Sequence, residues 1–97
     1  MRVIALSKLR AFWEERGHDD AEGPLRAWHA EASAAGWNTT ADIKATYSSA
    51  SILRAGRVVF NIRGNKYRLV VHVRHPYVNI RFVGSHKAYD AIDTQTI

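Results

Sequence analysis

An α+β architecture, with helices packed on one face of a small antiparallel sheet, is what this sequence predicts, and three observations predict it. Residues 58–82 hold three runs of two-residue alternation: Val58, Phe60, Ile62; then Tyr67, Leu69, Val71, Val73; then Val78, Ile80, Phe82. Alternation puts i and i+2 on one face, so each run has one apolar and one polar face. Turns at Gly64-Asn65 and His75-Pro76 set these runs against one another, and the preceding half carries apolar residues at helical spacing. The predicted order is strand, helix, helix, short helix, three strands and a final short helix, as one domain over residues 1–97.

The elements follow in order. Residues 2–5 form a short strand, and Ser7 caps a first helix whose apolar stripe is Leu9, Phe12 and Trp13, stopping near Gly17. Asp19 and Asp20 open a second helix, with Glu22 three residues after Asp19 as in a capping box and Pro24 in the first turn. Leu25, Trp28, Ala32 and Ala35 continue it to Gly36, and Trp37 reads as a core plug. Thr40 caps a third short helix burying Ile43 and Tyr47, residues 48–51 form a polar loop, and Gly56 turns the chain into the sheet.

The first hairpin pairs Ile62 with Tyr67, Phe60 with Leu69 and Val58 with Val71, around a glycine able to take positive φ. The second pairs Val73 with Val78, Val71 with Ile80 and Leu69 with Phe82; a slip by one residue would bury charges. On the polar face Asn61 then lies opposite Arg68, Arg63 opposite Lys66, His72 opposite Asn79, Arg81 beside Val70, and Val83 opposite Arg68. Ser85 caps a final turn that brings His86 and Tyr89 to one side, near Arg68, Arg63 and Lys66. With two helices on the apolar face, this basic face is left open.

Charge is distributed unevenly. Residues 1–46 carry six Lys/Arg against seven Asp/Glu, whereas residues 47–97 carry eight against Asp90 and Asp93. The net charge of +5 is thus carried by the sheet half, which fits a polyanionic partner. The chain has no cysteine, no apolar run near the roughly 20 residues of a membrane span, and no signal-peptide pattern; a cytoplasmic location and no membrane partner are expected. His72 and His75 look like a metal pair, but odd spacing in a strand sends them to opposite faces, so no metal and no other cofactor is expected. Paired acids, a nucleophile elbow and a Gly-rich phosphate loop are missing. The remaining polar set is Asn61, Arg63, Lys66, Arg68, Arg81, His86 and Tyr89, with Lys87 and His72 nearby. These groups suit a phosphodiester: cations for phosphorane charge, imidazole for protons, a phenol to donate or to stack on a base. The competing readings are a solvated sheet face, and a domain that binds RNA or an acidic protein without turnover.

Phe60-Asn61-Ile62-x-Gly64-Asn65-x-x-Arg68-Leu69, then Ile80-Arg81-x-Val83 and His86-x-x-Tyr89-Asp90, together with residues 41–44, resemble the HigB toxins of the RelE superfamily over essentially the whole chain. Ser85 stands where that family more often has threonine, and the His75-Pro76 turn is short for it. The resemblance implies a fold related to microbial ribonucleases and an mRNA interferase cutting messenger RNA, typically on the ribosome. It implies a HigA-type helix-turn-helix antitoxin, with operator DNA reached only through that partner. It assigns Arg68 to the scissile phosphate, His86 and Tyr89 to the segment completing the active site, and Asn61 to a position where relatives often carry a base. Arg63, Lys66, Arg81, Lys87 and His72 would contact RNA. The implied reaction is metal-independent attack of a 2′-hydroxyl on its neighbouring phosphate.

Overall fold

The computed structural model describes residues 1–94 and 97. β1 (Arg2–Ile4) leads into α1 (Leu6–Trp13), a 3-10 turn at Asp19–Ala21, α2 (Glu22–Ala34) and α3 (Thr40–Thr46). β2 (Ser51–Ile52) and a second 3-10 turn at Arg54–Gly56 precede β3 (Arg57–Ile62), β4 (Tyr67–Arg74), β5 (Tyr77–Ser85) and α4 (His86–Asp90). The strands form one sheet in the order β1-β5-β4-β3-β2. The α+β architecture is the expected one, but the sheet is mixed: β1 runs parallel to β5 and every other pair is antiparallel. Parallel neighbours need a crossover, and the whole helical half lies between these two strands.

The stripes of α1 and α2 face the sheet because their apolar residues recur every three or four positions. Leu9, Phe12, Trp13, Leu25 and Trp28 join Phe60, Tyr67, Leu69, Val71, Val78 and Ile80 in one buried cluster. The Phe60 ring meets the Trp28 and Tyr47 rings edge-on at 5.3 and 5.1 Å, and Trp37 stacks on it at 6.4 Å. Trp37 is indeed a core plug. Each such side chain contributes roughly 1.5–3 kcal/mol of burial.

The first hairpin has the predicted register, with Ile62 against Tyr67, Phe60 against Leu69, Val58 against Val71 and Asn61 against Arg68. Lys66 N–H closes the turn on the Arg63 carbonyl at 3.2 Å; positive φ falls on Gly64 and also on Arg63, at 63° and 52°. The second hairpin keeps Val73–Val78 and Val71–Ile80, and then departs from expectation. A β-bulge leaves Arg81 without a partner, so Phe82 pairs with Val70, Val83 with Leu69 and Gly84 with Arg68. Arg81 therefore does not sit beside Val70, nor Phe82 opposite Leu69, nor Val83 opposite Arg68. Val83 packs on the core and Phe82 moves to the other face. The extra residue exposes the Ile80 carbonyl, which accepts from Lys8 Nζ at 3.2 Å.

Smaller departures concern caps. α1 begins at Leu6 after Ala5, so Ser7 lies inside it, and it stops at Trp13, with Gly17 in the following turn at φ +88°. Asp19 and Asp20 form the 3-10 turn instead of capping α2. α2 ends at Ala34, short of Gly36. α3 is capped by Thr39 rather than Thr40, in a reciprocal box with Asp42. The Asn38 and Thr39 backbone N–H groups donate to the Asp42 carboxylate at 2.9 and 3.1 Å, and hold its pKa below the ordinary value. The end of the expected polar loop, Ser51, already belongs to β2. Gly56, at φ +76°, turns the chain closely under β4: a Cβ there would meet the Val73 carbonyl oxygen at 2.7 Å.

The face away from the core is not fully open. α4 packs across β4 and β5, Arg57 Nε donates to the Ile97 carbonyl at 3.0 Å, and Val59 and Val70 on this face are buried.

Candidate functional site

Arg68 projects from the face of β4 opposite the core, between Asn61 on β3 and Gly84 on β5. Its guanidinium donates through Nη1 to the Asn65 carbonyl at 3.1 Å, and its Cζ lies 5.8 Å from the centre of the Tyr89 ring. Tyr89 reaches it because Ser85 caps α4 as expected: Ser85 Oγ accepts from Ala88 N–H at 3.1 Å. The His86 N–H donates to the Lys66 carbonyl at 3.2 Å. The turn at 63–66 thus holds Arg68 through one carbonyl and the start of α4 through another. Gly84 has a role the sequence did not announce: a Cβ there would meet the Phe82 ring at 2.5 Å, so glycine leaves that ring its place.

His86 Nδ1 lies 3.0 Å from Asp90 Oδ2, one helical turn away. The carboxylate stands on the Nδ1 side of the ring, so Nε2 is the nitrogen away from it. Asp90 appears in the sequence pattern, but its partnership with His86 was not part of the expectation. The spacing i, i+4 on a helix was the available signal.

Arg63 and Lys66 are placed differently from expectation. Both are exposed at the hairpin tip, yet both reach back to the Asp20 carboxylate on the helical side, Arg63 Nε at 3.0 Å and Lys66 Nζ closer still. The Tyr67 hydroxyl, on the core face, donates to the other oxygen of Asp20. The acid missing from the sheet strands thus comes from 43 residues upstream of Arg63 and satisfies the two nearest cations. The hydrogen bonds from Lys66 and then Tyr67 lower the Asp20 pKa to about 2, although about a quarter of the side chain remains exposed. Asp20 in turn raises the Lys66 value, and burial, with Asp20 second, raises that of Tyr67.

The sign of this linkage is definite. A carboxyl with a depressed folded value stabilises the fold above its unfolded value near 4 and loses that stabilisation as pH falls toward 2. Asp20→Asn should therefore lower Tm at pH 7, and the gap from the wild type should narrow steadily between pH 4 and pH 2. A gap independent of pH across that window would remove the ionic role of Asp20.

The other predicted contact residues are scattered. Lys87 is exposed on α4 beside His86. His72 lies four residues along β4 from Arg68, about 13 Å at strand rise, with its ring against Gly56. It does not join the group around Arg68. His75 faces elsewhere, its Nδ1 lying 3.0 Å from the Trp37 carbonyl. Arg81, displaced by the bulge, lines a shallow groove of about 290 Å³ with Ile4, Ser7, Lys8 and Asn79. The structure therefore sets Asn61, Gly84 and Tyr89 around Arg68, starts α4 at His86 on the Lys66 carbonyl with Asp90 one turn further on, and separates Arg81 and His72 from them.

Among the described residues, no helix is long and apolar enough to cross a membrane. No curated protein matches the chain by sequence. The family model of the HigB toxin, the RelE-like toxic component of a toxin–antitoxin system, matches residues 21–92. That span runs from the start of α2 past the end of α4 and takes in Arg68, His86 and Tyr89; β1, α1 and Asp20 precede it. The chain belongs to the HigB toxin family, the RelE-like toxic component of a toxin–antitoxin system.

Proposed function

We propose that this toxin is a metal-independent endoribonuclease, an mRNA interferase that cuts messenger RNA on the translating ribosome. Family membership implies an antitoxin as partner, and we take that partner to be of the HigA type, with a helix-turn-helix domain. The observation that carries the reading is the guanidinium of Arg68 against the Tyr89 ring, with His86 and its neighbouring carboxylate Asp90 on the same short helix as Tyr89. Among the ion pairs of the described residues none involves Arg68, so its charge is available to a phosphate.

In the proposed step the 2′-oxygen attacks the adjacent phosphorus and loses its proton, while the bond from phosphorus to the 5′-oxygen breaks and that oxygen gains a proton. The products are a 2′,3′-cyclic phosphate and a free 5′-hydroxyl. Arg68 neutralises charge developing on the phosphorane oxygens, which is most effective when the donor is already positioned. His86, through Nε2, gives or takes one of the two protons. Tyr89 holds the guanidinium plane and offers its hydroxyl, and the neutral amide of Asn61 orients without ionising. Lys87 and Arg81 extend the cationic surface, whereas Arg63 and Lys66 serve the hairpin tip through Asp20.

Expression of the chain alone should arrest growth and shorten messenger RNA, with cut ends carrying a cyclic phosphate upstream and a 5′-hydroxyl downstream. Co-expression of a HigA-type antitoxin should restore growth. RNA that is bound and yet recovered intact, in a growth-arrested culture, would turn the reading toward a binding module without turnover.

A further inference from the structure

The same face of the sheet carries a second constellation at its far end. Tyr77, the first residue of β5, is 42% exposed, unusually open for a large aromatic side chain in a strand. Its neighbour Val78 is fully buried in the core, so alternation turns Tyr77 to the opposite face, the one that bears Arg68. The register sets an arginine directly beside it on each side: Arg2 on β1 and Arg74 on β4. Directly paired residues share a face, so the three side chains form one row, Arg2–Tyr77–Arg74, about 10 Å wide across three strands. Both arginines are exposed, and neither enters an ion pair among the described residues. None of the five strands contains Asp or Glu.

We propose that this row is a second RNA-binding site, at which one unpaired base stacks on Tyr77 while the phosphates flanking it meet Arg2 and Arg74. The inference rests on the RNA-cutting reading for its ligand, and on the register for its geometry. An exposed phenol ring between two cations is what a single-stranded nucleotide requires: a flat apolar surface for the base and charge on either side for the backbone. Arginine suits both tasks, since its guanidinium binds phosphate through two donors and also stacks. An acidic protein segment would be attracted by the charge but has no use for a bare aromatic face.

A path connects this row to Arg68. Along β5 on this side lie Tyr77, Asn79, the bulged Arg81, Phe82 and Gly84, and Gly84 is the partner of Arg68. Tyr77 to Gly84 spans about 20 Å at strand rise, a stretch of a few nucleotides. The groove holding Lys8 and Arg81 lies along that path, so Arg81 gains a role as a mid-way phosphate contact.

The test is equilibrium binding of a short single-stranded RNA, made uncleavable by 2′-O-methylation, to the toxin with single substitutions at matched salt. Stacking on an aromatic side chain is worth roughly 1–3 kcal/mol per base, so Tyr77→Ala should weaken binding about five- to 150-fold, and Tyr77→Phe should bind like the wild type. Arg2→Gln and Arg74→Gln should each lower the slope of log affinity against log salt by about one, whereas Tyr77→Ala should leave that slope unchanged. Wild-type affinity in Tyr77→Ala, or weakened binding of the antitoxin with RNA binding intact, overturns the second site; the latter would make the row a protein interface. Loss of RNA affinity in Tyr77→Ala, in a wild type that binds but never cuts, would leave the second site standing and remove the nuclease.

Discussion

Arg68→Ala should abolish most of the proposed cleavage: the single-turnover rate is expected to fall by about 10²–10³, the usual scale for removing one preorganised donor from developing transition-state charge. Folding should barely change. The side chain is only half-buried, makes one hydrogen bond to the Asn65 carbonyl and rests against Tyr89, and such a partly exposed cation–aromatic contact contributes about 0.5–1 kcal/mol. Urea denaturation beside the rate measurement therefore separates chemistry from stability. Arg68→Lys is a useful intermediate, since it keeps the charge but loses the planar fork, and it should recover only part of the rate. Cleavage by Arg68→Ala at the wild-type rate, with unchanged stability, would transfer the phosphate role to another residue.

His86→Gln tests the proton-transfer step. Glutamine preserves a planar polar group at the start of α4 and cannot titrate, so cleavage should slow by about 10²-fold or more while RNA affinity stays near wild type. Affinity is spared because the salt-dependent part of binding rests on Lys and Arg contacts. The limb of the pH–rate profile that depends on the imidazole should also disappear. Asp90→Asn is expected to fall between wild type and His86→Gln, because both partners are about half exposed and the carboxylate orients the ring without itself reacting. Weakened binding by His86→Gln, with unchanged cleavage per bound complex, would withdraw the histidine from catalysis.

The parts of this molecule that were legible in sequence are those fixed by local periodicity. Two turns with apolar residues at every second position around them could close in only one register, so Asn61 and Arg68 could be set face to face without coordinates. Ser85 was legible for the same kind of reason, a hydroxyl three residues before the N–H it caps. β1 was legible as a short strand, but its parallel pairing with β5 depends on packing by the intervening helices, and β2, with two residues, is too short to carry a pattern. Asp20 was misread as a helix opener because its real partners, Arg63, Lys66 and Tyr67, lie far away in the chain. The bulge at Arg81 escaped because Ile80-Arg81-Phe82-Val83 has an apolar residue available for either face after the arginine. Composition there permits both solutions, and the packing of Val83 against the helical layer selects one.

That single unpaired residue sets the parity of everything after it. Counting from Tyr77, even steps lead to the outer face as far as Asn79, and odd steps do so from Phe82 onward. Taking Arg81 into an unbroken ladder opposite Val70 would leave composition and charge intact, yet would send every later residue of the strand to the opposite face. Val83 would stand beside Arg68, Gly84 would turn toward the helices, and α4 would start one position away from the Lys66 carbonyl. The placement of Tyr89 over Arg68 therefore depends on one residue being skipped in the ladder earlier in the strand. Deleting Arg81 should therefore preserve the observed pairings, with Phe82 following Ile80 directly opposite Val70, and remove only the bulge.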